Sequence, residues 1–134
     1  MSERDVPRPE PPVTRFTHLV MPADTNHLGT LYGGTLMGWM DSAAGIAGVR
    51  RAGTRTVVTA VVDELTFRVA IRAGELVELV AEVESVGRTS MRVRVEAHRE
   101  DPVTHVRELC TIGHFTMVAL DDHGNPTPVR EASA

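Results

Sequence analysis

The sequence contains no lysine, so all 14 of its basic residues are arginine. Any contact with a phosphate therefore has to come from a guanidinium fork, a backbone N–H or a hydroxyl. There is a single cysteine, Cys110, which excludes an intramolecular disulfide and suits a reducing compartment. No apolar run approaches the ~18 residues of a membrane span, and the first residues lack the apolar core of a signal peptide. A cytoplasmic protein is expected. The net charge of −4 argues against general nucleic-acid binding. The six histidines (His18, His27, His98, His105, His114 and His123) show no metal-ligand spacing, and one cysteine cannot build a thiolate site. No metal and no other cofactor is expected. The lysine-bearing GxxxxGK[ST] loop is also missing, which leaves a nucleoside triphosphate site unsupported.

What is present fits one domain of 134 residues. Residues 1–13 hold four prolines and five charged side chains with almost nothing to bury, and read as a disordered leader. Residues 14–120 form the domain. Residues 121–134 carry Gly124, two prolines and little apolar content, and read as a flexible tail.

The chain is organised around the stretch 21–49. From Gly34 to Val49 the only polar side chains are Thr35, Asp41 and Ser42, over about four helical turns. Burying a carboxylate without compensation costs several kcal/mol, so Asp41 has to reach water, find partners or serve chemistry. Gly34, Gly38, Gly45 and Gly48 weaken the helix by roughly 1 kcal/mol each relative to alanine. They make sense if a sheet wraps closely around it. Ahead of the helix, Asn26, Gly29, Gly33 and Gly34 form a glycine-rich entry loop, into which the first free N–H groups would point. Arg50, Arg51 and Gly53 end the element, cations near its negative pole and a glycine beyond.

The remainder reads as strands. Residues 15–21 alternate weakly and are expected as a short first strand, broken by Pro22 and Asp24. Thr54 to Phe67 is rich in valine and threonine, with Val57, Val61, Leu65 and Phe67 on one face and Val58, Ala60 and Val62 on the other. This is expected to be a central strand covered on both sides, by the helix and by another subunit. A clean alternation follows, Val77, Leu79, Ala81 and Val83 against Glu78, Glu82 and Glu84, and it resumes after Gly87 with Met91, Val93, Val95 and Ala97. These two strands form a hairpin. A register in which paired positions sum to 176 keeps valine beside valine and sets Glu82 beside Arg94 and Glu84 beside Arg92. Val106 to Leu120 is the last strand. One apolar helix and four further antiparallel strands imply an α+β domain, a sheet curled around the helix.

The pattern Asn26, Gly29, Gly33, Gly34 and Asp41, together with GRTSM at Gly87 to Met91, resembles the hotdog-fold acyl-CoA thioesterases. Within them it is similar to the acyl-CoA hydrolase group of YciA-type and brain acyl-CoA hydrolase-like enzymes. The resemblance covers roughly residues 14–120. It implies a single hotdog fold with a five- to six-stranded antiparallel sheet, a homodimer as the minimal unit, trimers of dimers, and a site that joins Asn26 of one subunit to Asp41 of its neighbour. It also implies that Gly87, Arg88, Thr89 and Ser90 line the coenzyme A channel, with Arg68 near the nucleotide. One departure is Val69 and Ala70 after Phe67 and Arg68, where many relatives carry a proline.

The implied chemistry suits these residue types. Aspartate can attack a thioester to give a mixed anhydride, or act as general base on water. Asn26 can hold that water or the thioester, and the N–H groups of Gly33 or Gly34 can serve as oxyanion donors. Coenzyme A would be part of substrate and product rather than a cofactor. For each of these residues a structural reading also stands: Asp41 bonded to backbone amides, Asn26 as a turn residue, Arg88 on a solvated hairpin tip. Two rival functions stand beside this one. Dehydratases of this fold pair a histidine with a carboxylate on or near the helix, and no histidine lies in this helix. A non-catalytic acyl-CoA-binding sensor would use the channel without hydrolysis.

Overall fold

In the computed structural model, residues 13–131 are described. The leader expected over 1–13 lies outside them except for Val13, as do residues 132–134.

The elements are β1 (Thr14–Leu19), a 3₁₀ turn (Pro22–Asp24), α1 (Gly33–Ala52), β2 (Thr56–Phe67), β3 (Leu76–Val86), β4 (Ser90–Glu100) and β5 (Arg107–Leu120). Five strands form one antiparallel sheet in the order β1-β3-β4-β5-β2, wrapped around α1 as expected for a hotdog fold. One face of the helix packs against the sheet: Leu36, Met40, Ala43, Ala44 and Ala47 are buried against Leu79, Met91, Val93, Phe115 and Met117. Small residues dominate its inner face, so the strands can approach its backbone. A Cβ on Gly48 would stand only 2.9 Å from Val57 Cγ1. The helix ends at Gly53, whose φ of 75° is the left-handed cap that glycine adopts without strain.

The β3–β4 register follows the expected sum from Leu76↔Glu100 to Val83↔Val93, with Glu82 opposite Arg94. Beyond Val83 it shifts, because a bulge at Glu84 sets Ser85 rather than Glu84 opposite Arg92. The displaced carboxylate still reaches Arg92 Nε at 3.7 Å. Arg92 also meets Asp63 and Glu64, at 3.3 and 3.4 Å, and these carboxylates, Asp63 first, raise its pKa further.

Strand β2 corrects the sequence reading. It is an edge strand, because α1 carries the chain across to the far side of the sheet, where β2 pairs with β5, while β3 returns to pair with β1. Its alternation is also rephased by irregularities between Thr59 and Val61 and between Asp63 and Thr66. Val57, Val62 and Leu65 therefore face the core, while Val58 and Val61, 43% and 49% exposed, face outward. Within the chain, the apolar outer residues therefore lie on an edge strand.

The C-terminal stretch is a second difference. Residues 121–131, expected as a flexible tail, fold back as a strap. Thr127 N–H donates to Ala119 O at 2.9 Å, Val129 N–H to Arg88 O at 2.8 Å and Arg130 N–H to Ala52 O at 3.1 Å. Val129 supplies the buried anchor. The strap ties the β3–β4 turn to the end of α1.

Candidate active site

Asp41 sits at the middle of α1 with its side chain half-buried. Its helix face turns toward β2, and Thr59 Oγ1 donates to Asp41 Oδ1 at 2.5 Å. Thr59 lies opposite Met117 in the ladder, on the inward side of β2. Of the two readings open for Asp41, a bond to backbone amides is not what the described residues provide: its partner is a side-chain hydroxyl. Thr59 was not singled out by sequence reasoning. The available signal was a hydroxyl two residues after Val57, on the same inward face.

The entry loop is held by Asn26. Its Oδ1 accepts from Leu28 N (2.9 Å), Thr30 N (3.2 Å) and Thr30 Oγ1 (3.1 Å), while its own N–H donates to Thr30 O at 2.8 Å. Asn26 is thus an Asx-type turn residue, and its Nδ2 amide takes no part in these bonds. Leu31 N–H donates to Ile71 O at 2.7 Å, which fixes the loop to the segment after β2, and Tyr32 N–H donates to Asp24 O at 3.1 Å, which ties it to the 3₁₀ turn. The first helical bond is Leu36 N–H to Tyr32 O. The N–H groups of Gly33 and Gly34 precede it, on exposed residues at the positive end of the helix.

Arg68 begins the segment after β2, its backbone N–H bonded to Cys110 O at 2.9 Å. It lines a cavity of about 300 Å³ with Thr30, Gly33, Leu36 and Phe67. The fold therefore brings Arg68 beside Gly33 despite the missing proline. Gly87 to Ser90 form the tight β3–β4 turn, closed by Gly87 N–H to Ser90 O at 2.8 Å. This turn stands at the other end of α1, beside Ala52 and the strap. A helix of 20 residues is about 30 Å long, so one chain holds the Asn26–Gly33–Arg68 group and the Gly87–Ser90 turn at opposite ends, with Asp41 between.

Of the large helix side chains, Met40 is fully buried, Met37 is 39% exposed, and Trp39 stacks on His18 with ring centroids 4.3 Å apart. Cys110 is buried, and its desolvation raises the thiol pKa.

Residues 28–105 match the sequence pattern of the Thioesterase superfamily. A relative from Zymomonas mobilis, described as an uncharacterized acyl-CoA thioester hydrolase, is 44% identical over 115 residues, covering 83% of this chain and 74% of its own. An acyl-CoA hydrolase from Staphylococcus aureus, solved with butyryl coenzyme A and coenzyme A, superposes with a TM-score of 0.83 at 38% identity, over 87% of this chain and 71% of that one. Alanine variants of that hydrolase at an asparagine, an aspartate and a threonine have also been solved. An apo-hexameric acyl-CoA thioesterase superposes with a TM-score of 0.84 at 41% identity, over 87% of this chain and 74% of that one.

Proposed function

This chain belongs to the Thioesterase superfamily and is a thioester hydrolase, and from that premise we propose that it hydrolyses fatty acyl-CoA to the free acid and coenzyme A. The observation that carries this reading is the half-buried Asp41 carboxylate, gripped through one oxygen by Thr59 and placed mid-helix. In the forward reaction, oxygen from water replaces sulfur at the acyl carbon, and the thiolate leaves with a proton. Asp41 either attacks the carbonyl carbon or takes the proton from the attacking water, and both routes give the same products. Asn26 Nδ2 holds the water or the thioester. The Gly33 and Gly34 N–H groups receive the charge that develops on the carbonyl oxygen.

Two subunits build each site. The open ladder of β2 presents 12 residues with Val58 and Val61 exposed, an edge that remains a liability unless paired. Pairing two copies of β2 antiparallel joins the sheets by a two-fold axis, and Asn26 of one chain then serves Asp41 of the other. Three such dimers form the assembly. Arg88, Thr89 and Ser90 receive the coenzyme A phosphates with Gly87 shaping the turn, and Arg68 assists from the entry-loop end. We place the protein in the cytoplasm; no helix among the described residues is long and apolar enough to cross a membrane.

Release of free thiol from short to long acyl-CoAs tests the reading. Wild-type turnover that falls at least about 100-fold in Asp41→Ala, with circular dichroism unchanged, is expected of a general base or nucleophile. Equal turnover by both proteins would refute the role of Asp41. Binding of acyl-CoA without turnover by the wild type would instead favour the sensor reading. A single turnover in heavy-oxygen water separates the routes, since label enters Asp41 only if it attacks.

A further inference from the structure

The strap after β5 is built to hold its course. Asp121 Oδ1 accepts from the N–H groups of His123 and Asn125, each at 2.9 Å, and turns the chain back along the sheet. Pro126 and Pro128 then fix the backbone φ and have no N–H to satisfy, while Thr127 and Val129 donate to Ala119 O and Arg88 O. A segment so restricted has little conformational freedom to lose on docking.

Its two anchors are a loop tip and a helix end. The β3–β4 loop is closed by Gly87 N–H to Ser90 O, which leaves Arg88 and Thr89 at the tip, and both tip carbonyls are taken. Arg88 O accepts from Val129 N–H at 2.8 Å, and Thr89 O from Ala119 N–H at 3.0 Å. The main chain of Arg88 is thereby fixed, while its side chain is exposed. The next strap residue, Arg130, caps α1: its N–H donates to Ala52 O and its Nη2 to Arg50 O, both at 3.1 Å. These carbonyls belong to the negative pole of the helix. Adjacent Cα atoms are about 3.8 Å apart, so the strap holds that pole beside the arginine tip and covers it with a cation. A polyphosphate approaching Arg88 would otherwise meet the partial negative charge of the helix end.

We propose that Val129 and Arg130 are positioning residues for the nucleotide half of the substrate: Val129 aims Arg88 at the phosphates through its main chain, and Arg130 offsets the helix pole beside them. The inference rests on the Gly87–Ser90 turn receiving the phosphates of coenzyme A. It assigns the strap a part in binding and none in the chemical step at Asp41.

The test compares butyryl-CoA with butyryl-pantetheine, which carries the same thioester without phosphates or nucleoside. Val129→Pro deletes the donor to Arg88 O, and is expected to raise KM for butyryl-CoA about 10-fold, the loss of one charge-assisted hydrogen bond, with kcat unchanged. Arg130→Met keeps every main-chain bond of the strap and is expected to raise the same KM about threefold, so it keeps the proposal testable if Val129→Pro does not fold. Neither variant should change kcat/KM for butyryl-pantetheine. Combined with Arg88→Ala, Val129→Pro should add almost nothing, because both act through one contact. Equal losses on the two thioesters would reduce the strap to a structural brace and overturn the proposal, as would an unchanged KM for butyryl-CoA in both variants. A Val129→Pro effect that adds in full to that of Arg88→Ala would also overturn it. Failure of the underlying reading looks different: Arg88→Ala would itself leave KM for butyryl-CoA unchanged.

Discussion

At the scale of single residues, Asp41 is held through one oxygen. Thr59 touches the carboxylate and acts through it, so Thr59→Val is expected to lower kcat about 10-fold with little change in KM, and Thr59→Ser to restore most of it. A purely structural threonine would lose stability in both variants without this split. Cys110 makes the opposite prediction. It is buried, and desolvation favours its protonated form, so the native thiol should resist iodoacetamide at neutral pH and react promptly in denaturant. Rapid labelling of the folded protein would contradict its burial. Asp41, Asn26 and the double glycine stood out in the sequence as candidates because a carboxylate in an apolar helix and an amide in a glycine-rich loop are both anomalies. Thr59 was not, because a threonine in a strand is ordinary. Its role comes from facing the helix, which only the fold decides.

At the scale of elements, the hairpin β3–β4 was legible down to its register as far as Val83, because alternating valines and opposite charges admit one alignment. The bulge at Glu84 was not, since nothing in the local alternation marks an extra residue. Strand β2 failed for the same reason twice over: its irregularities exchange the inner and outer faces, and its place at the edge depends on where the helix delivers the chain. The helix glycines make a sharp prediction here. Gly48→Ala forces a Cβ to within 2.9 Å of Val57 Cγ1 and should destabilise the domain by about 1–3 kcal/mol, as overpacking does. A thermal melt showing no loss would mean that β2 is free to move away. The β4–β5 turn adds a pH dependence. Asp101 accepts from Val103 N (2.8 Å) and Thr104 N (3.0 Å), bonds to its ionised form that lower its pKa, Thr104 first. A carboxylate depressed in the folded state contributes stability above its ordinary pKa and loses it as pH falls through the folded value. Asp101→Asn should therefore flatten the acid limb of the stability profile, and an unchanged limb would show that the turn does not contribute.

At the scale of the whole molecule, the described chain keeps its candidate site groups apart, with the entry-loop group at the start of α1 and the Gly87–Ser90 turn about 30 Å away at its end. The domain's limits were only partly legible. Composition marked residues 121–134 as a tail, yet Val129 and three backbone bonds dock the strap against β5, the β3–β4 turn and the helix end, and one valine among prolines is too small a signal to read. The expectation of an assembly came only through the resemblance, because an edge strand exists only once the sheet order is known. Val61→Glu would set like charges along the edge of β2, and is expected to yield monomers without activity; active monomers would refute a shared site. The most direct measurement of that central claim is complementation. Asn26→Ala and Asp41→Ala chains, each inactive alone, are co-expressed and the mixed dimers isolated with two different tags. In a mixed dimer, one of the two sites recovers both wild-type residues, so about half of wild-type turnover per dimer is predicted if Asn26 and Asp41 meet across the two-fold axis. Mixed dimers no more active than either parent would contradict it.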